Sequence, residues 1–552
     1  MEFQNLKSTD QRSNKVKIIV SRTSGDLQVM EGEETESLLR TLASNKIHMN
    51  ASCGGRGSCG KCKIKLLQGT LEVTPPDRSI FTNAQIQEGY RLACKAYPHE
   101  DIHIMLIEKE EDEFEVLSFH GGETIEDKAK NLTTKKITET LPFDFKRFDY
   151  GIGVDLGTTT LALTLVNLSN GEGIDTYTTV NHQRSFGADV ITRIQLSSQG
   201  KQKELQECIR QDLLLGIRTL LEKRGIPSSN LKKITIAGNT TMGHLLLGYS
   251  CHTLGTYPFA PVDIQERKFT FSKVFGCSDY QADVVLLPGI STFVGGDIIA
   301  GLLVCNFDQE DAINIFIDLG TNGEMAIGNK NKLFVTSTAA GPAFEGGNLS
   351  CGVGSISGAI SGVEIEDGKI QVQTIGGEKP IGICGTGVLE LTSELLKEKI
   401  MDDTGLLSPE YFDDGYEVAS NHQVKVVYTQ RDIREFQMAK AAIRAGIEIL
   451  VKEYGVGYDA IHKLYIAGGF GYKINRKKAF HIGLLPRELE GKIETIGNSS
   501  LEGAIKYLLE KDSSYRAKEI VEVAKEIHLS NDADFNDWYI SYMGFEEEGL
   551  SI

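Results

Sequence analysis

Val154-Asp-Leu-Gly-Thr-Thr-Thr160 returns later in the chain as Ile317-Asp-Leu-Gly-Thr-Asn-Gly-Glu324, with the two aspartates, Asp155 and Asp318, 163 residues apart. Each copy follows an apolar run and leads into another apolar stretch. A strand that ends in Asp-x-Gly-Thr makes a tight turn whose backbone N–H groups converge, with hydroxyls alongside, and this suits phosphate oxygens. One such turn is only moderately specific, because Asp-Gly turns also join strands that bind nothing. Two copies predict an internal duplication, with two related lobes facing each other across a cleft.

A third element extends the pattern. Lys463-Leu-Tyr-Ile-Ala-Gly-Gly-Phe-Gly471 is an apolar strand ending in a glycine pair, and it resembles the adenosine motif of the actin-like ATPases. The order phosphate, phosphate, adenosine matches that superfamily. On this reading Asp155 and Asp318 flank the phosphates, each holding a water on Mg2+ or orienting the water that attacks the γ-phosphate. Gly157, Thr158, Thr159 and Thr160 form the first phosphate turn, and Gly320, Thr321, Asn322 and Glu324 the second. Gly468 and Gly469 let the backbone pass against the nucleotide. No Walker A sequence and no dinucleotide fingerprint occurs, so neither a P-loop ATPase nor a flavin- or NAD-linked reductase fits.

Four of the ten cysteines gather near the N-terminus as Cys53-x5-Cys59-x2-Cys62, with Cys94 further on. Plant-type 2Fe–2S ferredoxins use C-x4-C-x2-C and a distant fourth cysteine. Here the first gap is one residue longer, as in the adrenodoxin-like branch. Small residues between the ligands let a loop wrap a cluster and aim N–H groups at its sulfurs. Arg91-Leu-Ala-Cys-Lys95 resembles the segment that brings the fourth ligand in such ferredoxins. A zinc site is the alternative, but zinc sites pair their cysteines in two C-x2–4-C knuckles, and Cys94 has no such neighbour. The other six cysteines are scattered and read as small buried hydrophobes.

Around the cysteines, residues 15–107 read as a mixed α+β unit. It opens on the strand-like Val16–Val20, has a helix over Glu34–Ile47 and closes on an alternating strand over Asp101–Ile107. Residues 108–148 open with an acidic run and read as a linker. Residues 149–552 form the ATP-binding half, with lobe one at about 149–308 and lobe two at about 309–552. The fold expected is therefore an α+β ferredoxin-like (β-grasp) domain followed by a two-lobed α/β actin-like (ribonuclease H-like) ATPase domain. A formal net charge of −18 argues against general nucleic-acid binding. The polar N-terminus and the lack of an apolar run near the ~20 residues of a bilayer span point to a cytoplasmic protein with no membrane partner.

Taken together, the two halves resemble the reductive activators of corrinoid proteins. The resemblance rests on the motifs above and on Asn181–Arg193, Ala237–His244, Val294–Ile298, Ala340–Gly346, Gly382–Gly387 and the helical Asp432–Ile447. Some relatives place a further domain between the halves, where this chain has only the linker. The resemblance implies a one-electron transfer from a 2Fe–2S cluster to the Co(II) corrinoid of a partner methyltransferase or corrinoid protein, restoring Co(I) and coupled to ATP and Mg2+. A reduced ferredoxin or flavodoxin-type donor is implied, and a homodimer is compatible with it. Two other readings stand beside it: an ATP-driven carrier for a non-corrinoid low-potential enzyme, and a small-molecule kinase with a redox-sensing domain.

Several residues admit two roles. Asp297 reads either as a Mg2+ or nucleotide contact or as a helix N-cap. Asn239, Thr240 and Thr241 sit at a strand-to-helix junction, where capping competes with ligand contact. The Gly-rich Glu345–Gly354 reads as a turn or as a corrinoid-facing loop with Ser350 near cobalt. His244 and His252 read as packing or capping residues.

Overall fold

The computed structural model describes residues 15–22, 26–47, 49, 51, 55, 57, 60–107, 147–420 and 425–545. Contacts divide the chain into two units, Met1–Glu111 with His182–Ala188, and Asp112–Asn181 with Asp189–Ile552.

The first unit holds strands β1 (Lys15–Ser21), β2 (Leu27–Glu33), β3 (Lys63–Gln68), β4 (Tyr90–Leu92) and β5 (Ile102–Leu106), ordered β2-β1-β5-β3-β4. β1 runs antiparallel to β2 and parallel to β5. Along β1 the side chains alternate, with Val16, Ile18 and Val20 buried and Lys15 and Lys17 exposed, the period-2 pattern of a sheet with one face on a core. The helix Leu38–Ser44 covers that face with Leu38, Leu39 and Leu42, giving the β-grasp arrangement. This helix is shorter than the predicted Glu34–Ile47. Ser37 has extended backbone (ψ 147°) at its start, and Asn45 leaves helical geometry at its end.

The second unit is built on two six-stranded sheets. Lobe one contains β6 (Tyr150–Leu156), β7 (Thr160–Asn167), β8 (Gly173–Val180), β9 (Leu231–Gly238), β10 (Arg267–Thr270) and β11 (Asp283–Leu286). Lobe two begins with β12 (Ile313–Leu319), β13 (Gly323–Asn329) and β14 (Lys332–Thr338). It then inserts a small sheet, β15 (Ala359–Glu366), β16 (Lys369–Thr374) and β17 (Gly382–Ile383), and a hairpin, β18 (Tyr416–Ser420) and β19 (Lys425–Tyr428). β20 (Ile461–Ala467), β21 (Ile493–Gly497) and β22 (Ala524–Glu526) complete its main sheet.

The order β8-β7-β6-β9-β11 in lobe one has the same sequence of positions as β14-β13-β12-β20-β21 in lobe two. The strand senses agree as well. The first three strands of each set are antiparallel neighbours, and β9 and β20 lie parallel to β6 and β12. The repeated motif is thus the visible trace of a duplicated sheet, the actin-like, ribonuclease H-like pattern. β6 and β12 are central and buried on both faces, which is why they read as continuous apolar runs rather than alternating ones.

Two helices, Gly296–Val304 and Ser499–Leu509, pack on each other beside these strands. At their crossing, a Cβ on Gly503 would stand 2.3 Å from the carbonyl oxygen of Ala300, so only glycine permits this approach. Among the described residues, no helix is long and apolar enough to cross a membrane.

Candidate functional site

In the second unit, both repeated aspartates stand at the ends of their strands. Asp155 on β6 faces Ala162 of β7 and Ala237 of β9, whereas Asp318 on β12 faces Glu324 of β13 and Ala467 of β20. Glu324 is thus the direct cross-strand neighbour of Asp318, a pairing of like charges that destabilises a sheet unless something neutralises it. Asp297, on the helix Gly296–Val304, joins the same group and repels both Asp318 and Glu324.

The environment favours the protonated forms. Burial first, then repulsion by Asp155, pushes Asp297 up to about 7. Burial, then Asp297, Asp155 and Glu345, does the same to Asp318, also to about 7. Burial followed by Asp297 and Asp318 drives Glu324 well above the carboxylate range, with Asn322 pulling the other way. Asp155 is raised by burial, against two donors that favour its charged form: Asn498 Nδ2 at 2.9 Å and Ser500 Oγ at 2.8 Å. All four residues are half-buried. A bound cation makes it easier for such a group to ionise together. Among the described residues no three His, Cys, Asp or Glu side chains are spaced to ligate a metal by themselves.

The threonines of the two turns are tied into the same region. Thr158 Oγ1 accepts from Asn239 Nδ2 at 2.9 Å, and its carbonyl accepts from the fully buried Arg193 at 2.6 Å. Asn181 Nδ2 donates to the Gly157 carbonyl at 2.9 Å. Thr159 Oγ1 and Thr321 Oγ1 donate to Glu345 Oε2 at 3.3 and 3.0 Å. Gly320 N donates to the Asn322 carbonyl at 3.1 Å and closes the second turn. Thr160 opens β7, and a Cβ on Gly157 would stand 2.4 Å from its carbonyl oxygen.

Gly468 ends the Ile461–Ala467 strand at φ +87°, where a Cβ would lie 2.8 Å from Asp318 Oδ1. Its glycine is required by the aspartate beside it, whereas a Cβ on Gly469 would meet nothing within 4 Å.

The two-role residues resolve as follows. The N-cap of the Gly296 helix is Gly295, not Asp297, and Asp297 lies inside the first turn among the other carboxylates. Asn239 caps the helix Thr240–Leu247 through Met242 N and also donates to Thr158 of the first turn. Ser350 N and Oγ both donate to Asp432 Oδ1, at 2.7 and 3.0 Å, which makes Ser350 part of a folded turn. His244 bridges the Thr240 carbonyl and Val262 N. Four residues around the turns carried no role from sequence: Asn181, Arg193, Asn498 and Ser500. The first two bound the Asn181–Arg193 segment, while Asn498 and Ser500 lie 343 and 345 residues from the carboxylate they hold.

In the first unit, Cys62 and Cys94 are both buried, at 1% and 4% exposure. Cys62 precedes β3 and Cys94 follows β4, its antiparallel neighbour, and Ala93 N donates to the Cys62 carbonyl at 2.8 Å. Arg91 fixes this end by donating to the carbonyls of Leu71, Ile86 and Tyr90. Asp77 accepts from Leu92 N at 2.8 Å. Gly55, Gly57 and Gly60 are left-handed, and a Cβ on Gly55 would lie 3.8 Å from Cys94 Cβ. Gly55 therefore lies close to the fourth cysteine, as a cluster cradle requires. Cys53 and Cys59 lie outside the described residues. Of the scattered cysteines, Cys208, Cys251, Cys305 and Cys384 are buried, and Cys277 and Cys351 are half-buried.

Three family models match: the 2Fe–2S iron–sulfur cluster binding domain over residues 22–99, the RACo middle region over 150–310, and the C-terminal domain of RACo, the ASKHA domain, over 312–552. The chain is 32% identical to the corrinoid activation enzyme RamQ of Eubacterium limosum, over 71% of this chain and 69% of that protein. The chain belongs to the reductive activators of corrinoid proteins. The [Co(II) methylated amine-specific corrinoid protein] reductase of Methanosarcina barkeri is 26% identical over 73% of this chain and 78% of its own. Among solved structures, a reductive activator for corrinoid, iron–sulfur protein superposes with a TM-score of 0.66 at 28% identity, covering 96% of this chain and 98% of its own. The family's middle region, residues 150–310, covers the strands β6–β11 of the first six-stranded sheet.

Proposed function

We propose that this chain is an ATP-dependent reductive activator: it delivers one electron to the Co(II) corrinoid of a partner protein, restoring Co(I), and couples delivery to ATP hydrolysis. The observation that carries this reading is the union, in one chain, of a buried cysteine pair on a β-grasp sheet with a duplicated phosphate turn flanked by facing carboxylates. A reduced ferredoxin or flavodoxin-type protein would refill the electron.

Cys53, Cys59, Cys62 and Cys94 would hold the 2Fe–2S group, which supplies one-electron redox chemistry. Asp155, Asp297 and Asp318 would hold Mg2+ through water, and Asp155 or Asp318 would orient the attacking water. The turns at Gly157–Thr160 and Gly320–Asn322 would cradle the phosphates, with Glu324 beside Asp318 in the same carboxylate group. Asn498 and Ser500 donate to Asp155, which favours its charged form against burial and aims it. Gly469, open on its Cβ side, would let the backbone lie against adenosine. Each ~100 mV of uphill transfer costs about 2.3 kcal/mol per electron. ATP supplies that work without touching the electron, by populating the conformation in which Co(I) is favoured.

Phosphate release tests the coupling. Mg-ATP hydrolysis is expected to rise when a corrinoid protein poised as Co(II) is added, and to vanish in Asp155→Asn. Hydrolysis indifferent to the corrinoid, but stimulated by a sugar or an organic acid, would favour the kinase reading instead.

A further inference from the structure

Glu345 stands where the two halves of the duplication meet. It ends the 3-10 turn Pro342–Glu345 of lobe two, and one of its oxygens, Oε2, accepts from Thr159 Oγ1 of the first turn and Thr321 Oγ1 of the second, at 3.3 and 3.0 Å. An anionic oxygen that takes a hydroxyl from each lobe's phosphate turn is doing what an oxygen of a terminal phosphate would do. A carboxylate and a phosphate cannot share those donors, because like charges in a half-buried cleft repel strongly.

The backbone behind Glu345 is folded back on itself. A Cβ on Gly352 would lie 2.0 Å from the Gly346 carbonyl oxygen. Four residues beyond Gly346, Ser350 N and Oγ donate to Asp432 Oδ1. The other oxygen of Asp432 accepts from Thr429 N and Thr429 Oγ1, at 2.9 and 2.7 Å, in the capping box of the 25-residue helix Gln430–Tyr454. Cys351 Sγ donates to the Val427 carbonyl at 3.0 Å. A displacement of Glu345 therefore has a short, tightly folded path to Ser350 and the start of that helix.

We infer that Glu345 is a γ-phosphate sensor: its carboxylate bridges the two phosphate turns in the nucleotide-free protein, and ATP, but not ADP, displaces it and so moves the Gly346–Gly354 loop. Glu345 is a positioning residue, acting through the threonines and the loop. The inference rests on the ATP reading of the cleft and adds to it how occupancy is reported to the rest of lobe two.

Fluorescent mant-AMPPNP and mant-ADP, titrated with Mg2+ into the whole protein and into Glu345→Gln and Glu345→Ala, test it. Gln keeps an acceptor oxygen and removes the charge. Loss of a charged competitor for two hydroxyls is expected to tighten mant-AMPPNP about tenfold in both variants, while mant-ADP stays within about twofold. Hydrogen exchange of peptides spanning Gly346–Gly354 is expected to rise in the wild type with AMPPNP and not with ADP, and to be already high in unliganded Glu345→Ala. Equal changes for both nucleotides, weaker AMPPNP binding in Glu345→Gln, or a loop indifferent to AMPPNP would overturn the inference. If the wild type binds neither nucleotide, the ATP reading itself falls, a result distinct from an unaltered AMPPNP preference.

Discussion

Replacing Asp318 with Asn removes the charge from one of two carboxyls that the cleft pushes up to about 7. A folded-state value above the unfolded one means that the folded protein binds the extra proton between about pH 4 and 7. Stability from this group is therefore present at the acid end, falls as pH rises through that window and is flat above it. A rise from 3.8 to about 7 corresponds to about 4 kcal/mol at 1.36 kcal/mol per unit. Water reaching the half-buried cleft reduces this to roughly 2–4 kcal/mol. For a unit of roughly 400 residues, that amounts to a few degrees in Tm.

In EDTA, Asp318→Asn is expected to gain about 2–3 °C on the wild type between pH 5 and pH 8, the part of the window that lies above pH 5. Glu324, which Asp318 also repels, should ionise more easily in the variant. With Mg2+ and AMPPNP the order reverses at pH 8, because the wild type gains a bound cation that the variant cannot hold as well. Melting is followed by circular dichroism. Parallel wild-type and variant curves at both pH values would refute the reasoning, since they would mean that the carboxylates do not strain the empty cleft.

Other consequences are as direct. Ser500→Ala removes a 2.8 Å donor to Asp155; the acid limb of the ATPase pH profile should move upward and kcat fall about tenfold or more, read by phosphate release from pH 5 to 9. Cys94→Ser should abolish the visible 2Fe–2S spectrum of reconstituted protein while mant-ADP binding is kept, because Cys94 belongs to the other unit. Gly503→Val places side-chain atoms against the Ala300 carbonyl, 2.3 Å from where the Cβ must sit; a loss of 1–3 kcal/mol or more is expected by urea unfolding.

Sequence exposed the architecture because the duplication is written twice. A central strand buried on both faces must be apolar throughout, and its Asp-Gly turn is short, so both copies stay recognisable locally. The β-grasp unit was legible for a similar reason, since three of the four cysteines proposed as cluster ligands, Cys53, Cys59 and Cys62, stand close together in sequence. What local pattern does not carry is which distant side chain completes a site. Asn498 caps the helix Ser499–Leu509 and Ser500 lies in its first turn, and nothing local in sequence ties either to Asp155, which both hold. Glu345 read as part of a Gly-rich turn, and only the folded chain sets it between Thr159 and Thr321. The capping reading of Asp297 failed because Gly295, two residues earlier, already has the extended backbone of the cap. Gly468 was read as making room for a ligand, and its first duty is to make room for Asp318.

The central claim is tested by an anaerobic visible spectrum. The reduced, cluster-reconstituted protein is mixed with a corrinoid protein poised as Co(II), with and without Mg-ATP. The account predicts a Co(I) band that appears with Mg-ATP, is absent without it and is lost in Asp318→Asn. An intact 2Fe–2S spectrum with no Co(I) band across several corrinoid partners, or a band that forms equally without ATP, would contradict it.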